Sequence, residues 1–311
     1  GWFQWYEAHL VLGDMDVTGA TLYGLPVIVQ GHNAALGWAL TPNEPDFADV
    51  FEERVGGPER SPKDPRLPDP TEEQFLMLQY MSQAQPYYVA TQAGIERRYV
   101  PAMIGPRGPV FEGFANALYS WTVGGYHDFG GFRQLMEMAR AQDLASFQKA
   151  LLARQLPCFH VVYADRDGNI FYLYNAKCVT RARATDPAPP PAGAPPDWKR
   201  PMPAPLALFA WGDAIPLDAL PRIENPDSGY VQACGNPPWG ATHQPPFAPE
   251  DWAPWLIEDP DTYRATRARQ LLRHGTRSFR DNYSMLYDVV VPAALDTVPL
   301  LLDIADRWPD R

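Results

Sequence analysis

Along this chain, short apolar runs separated by glycine turns give way to apolar positions at helical spacing. In the first fifty residues, short β-branched runs are separated by glycine turns: "HLVLG" (His9–Gly13), then "VIVQ" (Val27–Gln30), which stops at Gly31. His32 and Asn33 fall at the tip of what reads as a buried hairpin, whose second run, around Trp38, ends on Thr41-Pro42. "DVFEERV" (Asp49–Val55) predicts another strand, and Tyr87 to Gly113 predicts a long hairpin closing on a Gly-Pro turn. Between them, Thr71-Glu72-Glu73-Gln74 has the form of a capping box ahead of the helical run "FLMLQYM".

Helical periodicity takes over at Phe132, Leu135, Met136 and Ala139, and again at Leu144, Phe147 and Leu151, the latter behind Asp143 as N-cap. A sharp hairpin follows: "FHVVYAD" (Phe159–Asp165), a turn at Asp167-Gly168, and "IFYLYNA" (Ile170–Ala176). Residues 186–205 are Pro-rich and read as an extended loop inside one domain spanning 1–311. Asp261–Leu272 and Tyr287–Asp306 read as helices, the latter interrupted by Pro292. Antiparallel-type strands with clustered helices and no internal repeat predict an α+β fold.

Composition narrows the function. A chain of 311 residues with 46% apolar and 13% aromatic content can bury a large core. The formal net charge of −11 repels a phosphate backbone, which argues against a nucleic-acid partner. No apolar run approaches the ~20 residues of a membrane span. The three cysteines, Cys158, Cys178 and Cys234, form no CxxC pair. No two of the six histidines stand at an HExxH spacing, and GxSxG, GxGxxG and Walker loops are absent. The chain opens on Gly1-Trp2 in strand-like sequence and closes on "DRWPDR", so it is expected to be part of a longer polypeptide.

Three long segments in order change the picture. "WYEAHLVLGDMDVTGATLYGLPVIVQGHNAALGWALTPNEPDFADVFEE", "FHVVYADRDGNIFYLYNA" and "LFAWGDAIPLDALPRIENPDSGYVQACGNPPW" together resemble the catalytic chain of the penicillin acylases. The wording "YADRDGNIFYLYNA" leans toward the acyl-homoserine-lactone and aculeacin acylase branch. The resemblance implies an αββα N-terminal nucleophile hydrolase, a calcium ion, export to the periplasm or beyond, and a self-cleaved zymogen. It also implies a separate α-chain and a remainder of the catalytic chain as partners. In such enzymes a Ser at the head of the catalytic chain attacks an amide carbonyl. Its own α-amine, with a pKa near ~8, takes the proton. That Ser is expected upstream of Gly1.

Residue by residue, the resemblance places the oxyanion donors at Pro42 and Gly235. Both depart from the family pattern, because proline has no N–H and glycine no side chain. Asn43 and Asn236, one place along, are the alternatives, and Arg264 is the Arg kept near the active site. His32 and Asn33 stand beside the nucleophile in the family, or simply satisfy backbone at a turn. Gln30, Leu40 and Phe159 correspond to acyl-pocket positions. Asp46, Ala48 and Asp49 in "PDFAD", with Asp251, correspond to the calcium ligands.

The implied activity is hydrolysis of an N-acyl amide, of a fatty acyl amide such as an acyl-homoserine lactone or lipopeptide ahead of a β-lactam side chain. Quorum quenching and antibiotic biosynthesis are the corresponding settings. Two alternatives stand beside it: a degenerate homologue that binds acyl ligand or calcium without turnover, and a hydrolase using an internal Ser such as Ser120.

Overall fold

The computed structural model describes residues 4–53, 83–105, 108–112, 118–181, 199–203, 211–253, 256–273 and 278–308. The capping box at Thr71 and most of the Pro-rich loop lie outside them. The described residues group into two compact units. The first contains residues 1–46, 128–177 and 216–311; the second contains 47–127 and 178–215.

The first unit is built on a seven-stranded antiparallel sheet. Its strands are β1 (Trp5–Leu12), β2 (Met15–Leu22), β3 (Gln30–His32), β4 (Leu36–Thr41), β10 (Cys158–Asp165), β11 (Ile170–Ala176) and β15 (Arg222–Glu224), adjacent in that order. Helices α1 (Gly131–Arg140) and α2 (Leu144–Leu151) cover one face. There Phe147 of α2 packs between Trp38 and Tyr163, with ring centroids 6.3 and 4.8 Å away. Asp143 caps α2 as expected, in a reciprocal capping box with Ser146.

Three sequence expectations shift here for physical reasons. Val27–Gln30 does not end at Gly31. Val27, Ile28 and Val29 are buried but irregular, and β3 begins at Gln30 and runs through Gly31 to His32. The cause is a close backbone approach. A Cβ on Gly31 would lie 2.2 Å from the Thr18 carbonyl oxygen and 2.8 Å from Gly19 Cα, while the Ile28 side chain folds across the pair. In α1 the buried residues are Gln134, Leu135, Met138 and Ala139, so the inward face is rotated from the apolar stripe drawn through Phe132 and Met136. Gln134 is inside because its side-chain oxygen accepts the Gln155 amide at 2.5 Å. Finally, Pro292 starts α5 (Pro292–Arg307) rather than interrupting it, because the first helical residue needs no N–H donor. A helix the periodicity missed, α4 (Phe279–Met285), precedes it behind a Ser278–Asp281 capping box.

The turn at Asn33 explains part of "GHN". Asn33 Oδ1 accepts the amides of Ala35 and Leu36, and its Nδ2 donates to the carbonyls of Ala139 and Ala141. Asn33 thus closes the β3–β4 turn and satisfies carbonyls at the end of α1. His32 sits exposed at the end of β3.

The second unit carries a six-stranded sheet and a two-stranded one. In the larger sheet β13 (Met202–Pro203) runs parallel to β5 (Ala48–Glu53). The order continues through β9 (Leu118–Val123), β8 (Gly108–Glu112), β7 (Gly94–Gly105) and β6 (Gln83–Thr91). The single hairpin expected over 87–113 is therefore two: the chain turns between Thr91 and Gly94 and again between Gly105 and Gly108. Strands β12 (Val179–Arg181) and β14 (Trp211–Ala214) pair separately. Phe51 and Met202 form a small core with Trp211 packed against it.

The glycine contact yields a test of the sheet. Gly31→Ala is expected to lower unfolding free energy by about 1–3 kcal/mol, since backbone must move to admit the methyl. Gly37→Ala, whose Cβ would meet nothing nearer than 3.4 Å, is expected to change it by less than about 0.5 kcal/mol. Urea unfolding of the two variants against the parent measures both.

Candidate active site

Strand β4 delivers Thr41-Pro42-Asn43 to one corner of the first unit. Asn43 is buried, and its Nδ2 donates to the Asn175 carbonyl at 3.1 Å. Thr41 Oγ1 and Asn43 Oδ1, on either side of Pro42, are buried without a hydrogen-bond partner among the described residues. Buried polar atoms in proteins are mostly paired, so the corner retains acceptor capacity for a donor.

The second element is the loop around Gly235, whose φ of +76° is in the left-handed region. Asn236 beside it is fully buried, and both ends of its side-chain amide are bonded within the loop. Its Oδ1 accepts the Cys234 amide at 2.8 Å and its Nδ2 donates to the Pro237 carbonyl at 2.9 Å. In this arrangement Asn236 stabilises the loop and does not present its amide outward.

Both elements rest on one segment, residues 257–264, that leads into α3 (Tyr263–Leu272). Glu258 N–H donates to the Glu44 carbonyl at 2.9 Å, and Ile257 bridges Pro45. Further along, the Thr262 amide donates to the Gly235 carbonyl at 3.1 Å, while Thr262 Oγ1 and Arg264 Nε donate to the Cys234 carbonyl at 3.1 and 3.2 Å. The neighbouring arginines on α3 point to carboxylates instead: Arg267 to Asp288, and Arg269 to Asp261. Arg264 Nε reaches the Cys234 carbonyl beside Gly235, although Arg264 is itself exposed, and Arg269 Nη1 lies 3.5 Å from the Gly240 carbonyl further along the loop.

The expected pocket residues do not line one surface of the sheet. Cross-strand partners share a face and successive residues alternate. Leu40 pairs with Val161 and Phe159 with Asn175, on the Trp38 face under the helices. Gly31 pairs with Trp38, which puts Gln30 on the opposite face. Leu40 is buried; Gln30 and Phe159 are half-buried.

On Gln30's face the structure holds a group the sequence reading passed over, because no histidine had a motif partner nearby in sequence. His160, opposite both Thr41 and Tyr174, is fully buried. Its Nδ1 lies 2.9 Å from the Tyr172 hydroxyl and its Nε2 3.2 Å from Asp259 Oδ1. The Tyr174 hydroxyl donates to Asp259 Oδ2 at 2.5 Å. Burial, and then the Asp259 charge, hold the Tyr172 phenol well above its ordinary range, so it stays protonated beside Nδ1. Facing a carboxylate, Nε2 is the donor to Asp259. Asp259 lies 99 residues from His160, a distance no local spacing can reveal.

Of the expected calcium ligands, Asp46 and Asp251 belong to the first unit, and Ala48 and Asp49 to the second. Asp49 is buried and accepts the Trp211 indole N–H at 2.6 Å. Asp251 is exposed and caps a short 3₁₀ turn through the Ala248 amide. Among the described residues no three His, Cys, Asp or Glu side chains gather as a metal cluster. Ser120 is fully buried in mid-strand, which withholds its hydroxyl from any substrate.

The fold is α+β, antiparallel strands with helices covering one face of the larger sheet. Two backbone elements, the end of β4 and the Gly235 loop, are anchored on a common segment. The chain belongs to the penicillin amidase family, whose model matches residues 3–310. It is 24% identical to penicillin G acylase of Escherichia coli over 244 residues, 76% of this chain and 26% of that protein. The thermostable penicillin G acylase of Alcaligenes faecalis has a similar structure, with a TM-score of 0.57 and 20% identity over 79% of this chain. That comparison covers 41% of the solved chain, so the present chain spans well under half of either relative.

The buried phenols make stability depend on alkaline pH. Tyr172 and Tyr163 both hold their protons more tightly folded than unfolded, burial being the largest cause in each. Their contribution is complete below the unfolded phenol value of about 10 and is lost as pH rises from there toward the folded values. Urea midpoints are expected to be lower at pH 11 than at pH 8, and Tyr172→Phe is expected to reduce that difference.

Proposed function

We propose that the protein containing this chain hydrolyses an N-acyl amide to a carboxylate and an amine. The observation that carries the reading is the family match over residues 3–310; in support, Glu44 and Pro45 just after Pro42 and the loop at Gly235 both bond to segment 257–264. The attacking hydroxyl belongs to an N-terminal Ser ahead of Gly1, whose α-amine is the base. An α-amine titrates near ~8 and is partly neutral at pH 7. The substrate class is a fatty acyl amide, such as an acyl-homoserine lactone or lipopeptide, ahead of a β-lactam side chain. The partners are an α-chain and the remainder of the catalytic chain, in an exported, self-cleaved zymogen. No helix among the described residues is long and apolar enough to cross a membrane.

A specific observation favours the second reading, a binding homologue without turnover. Pro42 has no N–H to donate, and the Asn236 amide is occupied inside its loop. Loss of one oxyanion donor lowers kcat by about 10²–10³ in serine hydrolysis. The assay is amine release by the purified full-length protein from decanoyl-homoserine lactone and from penicillin G. Release from the fatty amide, faster than from penicillin G, is the expected result. Binding of the fatty amide with no amine from either substrate would establish the non-catalytic reading instead.

The same reading includes a structural calcium, whose ligands the resemblance assigns to the Asp46 and Asp49 carboxylates, the Ala48 carbonyl and Asp251. Hard oxygens of this kind are what Ca²⁺ selects, and three of the four come from four consecutive residues. Chelation with EDTA is expected to lower the melting temperature by roughly 5 °C, restored by calcium and abolished as a response by Asp46→Asn. An unchanged melting temperature would remove calcium from the proposal.

A further inference from the structure

The buried cluster of Asp259, His160, Tyr172 and Tyr174 has no place in the chemistry above, and its location is specific. Asp259 lies between the residues that meet Glu44 and Pro45 and those that hold the Gly235 loop. Ile257 and Glu258 engage the first; Thr262 and Arg264 engage the second. Its carboxylate, 3% exposed, is the point at which this segment enters the sheet interior. His160 receives it there, directly opposite Thr41, one residue before Pro42. We propose that His160 and Asp259 are positioning residues, which set the segment 257–264 and through it the separation of the two oxyanion elements.

The chemistry favours a fixed geometry over a loose one. Asp259 accepts from two donors held on adjacent strands, one on each oxygen. His160 in turn is fixed by the Tyr172 hydroxyl, which itself lies in β11. A carboxylate held at both oxygens and flanked by two rings cannot shift without leaving a buried charge short of a donor. The backbone from 257 to 264 is therefore pinned in its middle by the sheet, while its ends carry the site. A fatty acyl amide would meet two elements whose spacing is inherited from this anchor. His160 touches no reacting atom in this scheme, being wholly buried.

The kinetic part of the test rests on the acylase reading; the structural part does not. In the full-length protein, His160→Leu and Asp259→Asn are expected to lower kcat for decanoyl-homoserine lactone about tenfold or more, with KM within about threefold. Amide hydrogen exchange over 232–242 is expected to speed up about tenfold while exchange in β1 and β2 stays unchanged. His160→Gln, whose side chain can both donate to Asp259 and accept from Tyr172, is expected to restore both readouts to within about threefold. Unchanged exchange over 232–242 in folded His160→Leu, or His160→Gln behaving like His160→Leu, would overturn the proposal. Should His160→Leu not fold, Tyr174→Phe, which removes one donor from Asp259 and leaves His160 in place, is read by the same two measures. If the parent shows no amine release, the acylase reading fails by itself, and the exchange data still decide the positioning role.

Discussion

A carboxylate buried against a β-sheet must find donors, and in this protein Asp259 finds them on two neighbouring strands. His160 from β10 and Tyr174 from β11 supply one donor each, and Tyr172 orders His160 from behind. Removing one partner of a buried charge costs about 3–5 kcal/mol in other proteins, because the remaining charge is left uncompensated. That cost makes the position of Asp259 close to obligatory. The chain on either side inherits it: the 257–258 backbone against Glu44 and Pro45, and Thr262 with Arg264 against the Gly235 loop.

The sheet that receives Asp259 depends on a second constraint. Gly19 and Gly31 face each other so closely that no side chain fits between the strands, and Ile28 closes over them. Trp38 then donates its indole N–H to the Val29 carbonyl, fixing the irregular 27–29 stretch beneath the helices. Asn33 adds the link from the β3–β4 turn to the end of α1. In the family's "GHN" stretch, therefore, the glycine and the asparagine have architectural reasons to be present. These arise from packing and backbone satisfaction, and they place β4 and its terminal Thr41-Pro42-Asn43 where the candidate site requires them.

Membership of the penicillin amidase family and the departures at Pro42 and Gly235 pull in different directions, and the geometry shows why both coexist. Gly235 in a left-handed conformation lets the loop turn tightly under Arg264 and Thr262, where a Cβ would already stand 3.3 Å from each. Asn236 then folds back to satisfy Cys234 and Pro237. The loop is well ordered by its own bonds, yet its amide donor is turned inward. At the other corner, Thr41 Oγ1 and Asn43 Oδ1 offer buried acceptors around a residue with no N–H. These are the two positions where the resemblance puts the oxyanion donors, and at both the groups present differ from the family pattern.

Sequence periodicity was enough for the β10–β11 hairpin, for α2 with its Asp143 cap, and for α3, because these depend on local spacing and local hydrogen bonds. Three in-order segments were enough for the family. What local spacing could not carry were long-range pairings. The inward face of α1 followed Gln134, a polar residue made internal by the Gln155 amide. Strand β3 was placed by the Gly19–Gly31 contact, which periodicity along one strand does not encode. Gln30 was grouped with Leu40 and Phe159 on family correspondence, and only the strand register put it on the other face. His160 looked unremarkable in sequence because its carboxylate partner is 99 residues away, and only tertiary folding brings a charge and its donors together inside a core.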